Sequence, residues 1–252
     1  MGRDASCGFG GEDDGTQYYS IYDDFYWYTH FVESDFRYGR ALAQTAGTAI
    51  MRLADADLLP YDYTPQWEAI DKFAGELDTL PKDKQAEYAE RNLQLTEGVF
   101  RATLDPRRPL APPPAEIVPP FMNFAPLRNA LAIFRNSATR YSLALTNLQA
   151  SGSAPLPEQS LQVLNARLMQ VSRMFLNQQG LPRRPWYKNQ IHAPGAYTGY
   201  DAKPTAAVRE YMDEKKWQEA DAQIPQVARI IETAAAGIGS AAEELEHAQQ
   251  LH

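Results

Sequence analysis

The sequence predicts an all-α helical bundle preceded by an irregular N-terminal segment, and three observations carry that prediction. Apolar residues recur three and four apart through most of the second half of the chain. The 252 residues contain no alternating strand–helix–strand pattern, no Walker or dinucleotide glycine motif and no internal repeat. Apolar residues make up 44% of the chain, enough for a sizeable core.

Residues 1–33 read as loop and turn, with Gly8, Gly10, Gly11 and Gly15 permitting backbone angles that other residues resist. Within them, the run from Gly15 to Phe31 concentrates aromatics that are costly to leave in water, so something must cover it. From Asp35 a helical stripe of Leu42, Ala46, Ile50 and Leu53 sets in and stops near Leu59-Pro60, predicting one buried helix. Thr64-Pro65-Gln66 offers an N-cap with proline at the first helical position, for a segment running towards Leu80. Pro81 then begins another helix, to Leu104. The proline-rich stretch from Asp105 through Pro120 forms neither helix nor inner strand and reads as an extended surface connection.

Beyond it, Leu127, Leu131, Phe134, Ala138, Tyr141, Leu145 and Leu148 follow the period of a helix packed along its length. Leu161, Leu164, Leu168, Val171 and Phe175 repeat the pattern after the turn Ser151–Pro155, predicting two long antiparallel helices. Residues 178–203 lack helical periodicity, and a long irregular loop this rich in aromatic side chains argues for function over disorder. A last helix spans Lys215 to Gln250, with Ile224, Val227, Ile231, Ala234, Ile238, Ala241 and Leu245 on one face and Pro225 as a possible kink.

Charge and composition exclude several functions. A net charge of −8 without a basic face argues against nucleic acid as partner. No window reaches the roughly 18 consecutive apolar residues of a membrane span. Met1–Gly15 is polar and acidic, unlike an export signal, and the compartment stays open. The single Cys7 allows neither an internal disulfide nor a cysteine-based zinc site. His30, His192, His247 and His252 are too scattered for a paired-imidazole motif and read as surface or structural residues. Glu12-Asp13-Asp14 lacks the alternate-position ligands of a calcium loop and reads as a solvated charge run.

Two stretches carry a family resemblance. Tyr18-Tyr19-Ser20-Ile21-Tyr22-Asp23-Asp24-Phe25, continued by Trp27-Tyr28 and later by Leu53-Ala54-Asp55 and Leu59-Pro60-Tyr61-Asp62, resembles the end of the peptidase domain in glutamate carboxypeptidase II-like zinc peptidases. Gly180-Leu181-Pro182-Arg183-Arg184-Pro185-Trp186-Tyr187-Lys188, with Ile191-His192-Ala193-Pro194, resembles the junction loop of the transferrin-receptor-like dimerisation domain that follows it. The resemblance implies residues 1–60 as the C-terminal remnant of an α/β zinc-peptidase-like domain and 61–252 as the helical dimerisation domain.

It also implies a dinuclear zinc site in the parent family, whose ligands and base lie upstream except for one histidine. That position is Tyr19 here, a phenol that must lose a proton to ligate well. No cofactor is therefore expected in this chain. The resemblance puts Tyr18 beside the metal site and Tyr200 at the substrate's terminal carboxylate, each able to donate a hydrogen bond. Gly199 stands where the family has a lysine, and Cys7–Gly11 replaces its arginines, so an acidic substrate side chain is not favoured. Three functions follow, in order. The first is an association module, inert alone, forming a homodimer and meeting a peptidase domain in cis or trans. The second is the C-terminal part of an active zinc carboxypeptidase or aminopeptidase, and the third a receptor-like binding protein without metals.

Overall fold

The computed structural model describes residues 19–103, 107, 111–150, 156–197 and 202–250. The chain divides into two compact units, Met1–Pro60 and Tyr61–His252.

In the first unit, the sequence led us to expect loop up to residue 33, but a helical turn interrupts it. This is α1, Phe25–Trp27, which continues as a π-helical turn over Tyr28–Val32. The Asp24 carboxylate starts it by accepting the Trp27 amide at 2.7 Å. The following helix, α2, spans Arg37–Ala54. Its cap comes from Glu33, which accepts the amides of Tyr38 and Gly39 and the Tyr28 hydroxyl, the last at 2.7 Å. Burial alone would raise the Glu33 carboxyl, but these donors outweigh it and hold it below the usual carboxylate value. The predicted burial of α2 is not observed: Leu42, Ala46 and Leu53 are half-buried and Ile50 is exposed. An amphipathic stripe marks a face but brings no cover with it.

The second unit opens with α3, Thr64–Thr96, one helix where the sequence suggests two. Pro81 lies inside it and is buried with Ile70, Ala74, Leu77 and Tyr88. Packing on that face keeps the helix continuous although proline forgoes one backbone hydrogen bond. Thr64 is not the N-cap but the first helical residue, because the Asp62 carboxylate takes its amide at 2.9 Å. A short helix, α4, follows at Val99–Ala102.

Residues 111–124 run as an extended strap without helix or strand, as the prolines dictate. Side-chain amides on α3 hold it. Asn92 donates to the Glu116 carbonyl at 2.8 Å and accepts the Glu116 amide at 2.9 Å, while Gln85 donates to the Pro119 carbonyl at 2.9 Å.

Helix α5, Ala125–Ala150, packs along α8, Trp217–Gln250, and this pair forms the centre of the unit. All seven residues of the predicted α8 stripe are fully buried, from Ile224 to Leu245. On α5, Leu127, Leu131, Phe134, Ala138 and Tyr141 are buried, joined by Ala144 in place of the half-buried Leu145. Helix α6, Glu158–Val171, is shorter than expected and passes into a 3₁₀ turn over Ser172–Phe175. It packs chiefly on α8, so the expected α5–α6 pairing gives way to a shared partner. At Gly237 on α8 an added Cβ would lie 2.5 Å from Met174 Sδ, so the 3₁₀ turn approaches where α8 carries no side chain. Helix α7, Ala206–Asp213, was not legible as a separate element. The predicted turn Ser151–Pro155 lies outside the described residues.

Candidate functional site

Of the irregular segment predicted over 178–203, residues 178–197 and 202–203 are described, and they form a built structure. After the 3₁₀ turn, Asn177 donates its amide to the Lys188 carbonyl at 2.9 Å, and Gln190 donates to the Phe175 carbonyl at 3.0 Å, closing the loop at its base. Gly180 adopts φ +73°, and a Cβ there would lie 2.3 Å from the Pro185 carbonyl oxygen, so only glycine fits this hairpin-like reversal. Leu181 and Tyr187 pair across it, amide to carbonyl at 2.8 Å. The second arm forms β1, His192–Pro194, antiparallel to β2, Ala202–Pro204, with His192 opposite Pro204. Leu181, Ala193, Ala206 and Ala207 make a small buried cluster with Tyr187 packed against it.

Polar contacts join the arms. The Arg184 guanidinium donates to the Pro194 carbonyl at 2.6 Å and to Glu210 Oε1 at 2.6 Å. Glu210, buried on α7, also accepts the Ala196 amide at 2.9 Å. Arg183 pairs with Glu214, lies over the Tyr211 ring and reaches the Tyr197 hydroxyl at 3.4 Å. The Glu214 carboxylate is the largest influence on Arg183, strengthening its hold on the proton. The Tyr187 hydroxyl donates to the His192 carbonyl at 3.0 Å. The His192 ring stands edge-on to Phe73 of α3 at 5.8 Å, and burial lowers its pKa below the ordinary histidine value. Trp186 and Tyr197 are exposed at the surface of this loop. Sequence reasoning located the loop but missed Glu210, whose place 26 residues after Arg184 gives no local signal.

The residues singled out by resemblance fare differently. Tyr18 and Tyr200 lie outside the described residues, as do Cys7, Glu12-Asp13-Asp14 and His252. Tyr19 is described: its φ is +60°, its amide donates to Asp23 at 3.2 Å, and its side chain is exposed. His30 sits in the π-helical turn, stacked on Tyr26, and His247 is exposed on α8. Among the described residues no three histidine, cysteine or acidic side chains gather where they could hold a metal ion. Among the same residues no helix is long and apolar enough to cross a membrane.

Fold and loop together define a helical-bundle domain whose organised surface feature is an arginine–glutamate-latched loop. Residues 122–239, from the end of the strap into α8, match the transferrin receptor-like dimerisation domain. Over 221 residues the chain is 25% identical to a probable glutamate carboxypeptidase of Arabidopsis thaliana, covering 85% of this chain and 26% of that protein. It is 26% identical over 207 residues to a probable glutamate carboxypeptidase of Arthroderma benhamiae, covering 82% and 23%. With aminopeptidase NAALADL1 of Mus musculus the identity is 23% over 224 residues, covering 87% and 25%. Residues 122–239 are thus similar to the transferrin receptor-like dimerisation domain, and the chain as a whole is similar to glutamate carboxypeptidase-like proteins. It spans about a quarter of the length of these curated relatives.

Proposed function

We propose that this chain is the dimerisation and accessory module of a glutamate carboxypeptidase-like metallopeptidase, inert as a peptidase by itself. The observation that carries the reading is the family match over 122–239, which takes in both the α5–α8 bundle and the latched loop. Residues 61–252 supply association, and 1–60 are the end of the peptidase domain. Ile133 and Leu143 on α5 and Val163 and Met169 on α6 remain exposed, and such apolar positions on packed helices suit contact with a second copy. By the family resemblance, the Tyr18 and Tyr200 hydroxyls each serve as a donor to substrate in the parent assembly. Zinc belongs to the parent assembly, and this chain holds none of its own.

Light scattering of the purified chain at micromolar concentration tests association. A dimer mass is expected, and a strictly monomeric species would remove the claim. Metal analysis after dialysis, with a panel of dipeptides and acidic peptides, tests inertness. Stoichiometric zinc together with peptide hydrolysis would overturn it.

A further inference from the structure

We propose that Glu210 is the positioning residue of the junction loop, setting the course of both arms and the placement of Tyr197 without supporting the helical core. The proposal rests on reading the loop as a surface offered to a peptidase site. Three observations lead to it. First, one buried carboxylate oxygen serves both arms, taking Arg184 Nη2 at 2.6 Å from the first and the Ala196 amide at 2.9 Å from the second. Second, the same guanidinium turns its other nitrogen to the Pro194 carbonyl at 2.6 Å, so Arg184, Pro194, Ala196 and Glu210 form a closed ring of contacts. Third, the loop has its own small buried cluster, Leu181, Ala193, Ala206 and Ala207, apart from the stripes of α5 and α8.

Tyr197 follows Ala196 directly, and its hydroxyl takes a hydrogen bond from Arg183 at 3.4 Å while the ring stays exposed. Fixing the Ala196 amide therefore fixes where this phenol is presented. A carboxylate suits the task because its charge strengthens both bonds to the shared oxygen and leaves its second oxygen facing Arg183 Nη2 at 3.8 Å, where a carboxamide would turn an N–H₂ group instead.

Hydrogen exchange on the full chain, read separately for residues 191–197 and for α8, tests the latch with Glu210→Gln. Exchange at 193–197 is expected to speed up roughly ten- to a hundredfold, as loss of a charge-assisted hydrogen bond implies, with α8 unchanged. Unchanged exchange in the loop would overturn the proposal, and so would an equal acceleration in α8, which would make Glu210 a part of the fold alone. Arg184→Lys and Arg184→Gln form a second test should Glu210→Gln fail to fold. The lysine variant is expected to keep more protection at Ala196 than the glutamine variant, and equal loss in both would count against the latch. Light scattering of the same samples separates the two readings. A monomer with a latched loop sinks association only, and a dimer whose loop ignores Glu210 sinks the latch only.

Discussion

The two units of this chain use similar side chains to opposite effect. In residues 19–60, among the described residues, only Glu33 is buried, while Ile21, Phe25, Phe31 and Ile50 stand exposed. In residues 61–250, the α8 stripe from Ile224 to Leu245 is fully buried against α5, α6 and α7. Both α2 and α8 have the helical period in their apolar residues, so periodicity alone does not separate them. What differs is supply: α8 meets three helices of its own unit, whereas α2 presents its stripe without a face that buries it. An amphipathic pattern states where contact is wanted and leaves the partner unnamed.

The sharpest way to break the comparison is at the α5–α8 centre. Phe134→Ala, at a fully buried position, should cost about 3–5 kcal/mol in urea unfolding, and a loss under about 1 kcal/mol would mean that this core is not the stabilising one. Gly180→Ala should cost about 1–3 kcal/mol, through its left-handed backbone and the clash with Pro185, and should show in the loop before the helices. A smaller effect follows from His192. Its folded pKa is lowered by burial, so the stability it contributes is complete above the unfolded value of 6.5 and is lost as pH falls towards the folded value. His192→Phe should remove that part of the acid sensitivity in thermal melts from pH 7.5 to about 5. The smallest change is expected in the first unit, where Ile50→Ser should stay within about 0.5 kcal/mol. A loss of about 2 kcal/mol or more would show that the α2 stripe is covered in solution.

Much of the bundle was legible because α5, α6 and α8 are long and each buries one continuous face. Pro81 misled because local sterics predict a break while tertiary burial of Leu77 and Tyr88 keeps α3 whole. Helix α7 escaped notice since eight residues between Thr205 and Glu214 give barely two turns of pattern, and the three-residue strands β1 and β2 give less. The loop was legible as a place through its aromatic and proline content. Its mechanism was not, because Arg184 and Glu210 meet only once α7 has folded back beside the loop. Tyr18 and Tyr200 stay on the footing of resemblance, being outside the described residues.

The strap over α3 carries one more consequence. Pro112, Pro113, Pro114, Pro119 and Pro120 have no amide hydrogen, so no ladder can set the register of this stretch. The Asn92 carboxamide on the Glu116 backbone, with Gln85 on the Pro119 carbonyl further along, acts as its ruler, while the Glu116 side chain reaches Lys215 at 2.6 Å just before α8 begins. Inserting one residue between 111 and 116 would slide the measure along, so a change in chain length there would be felt a hundred positions away, at the doorstep of the longest helix.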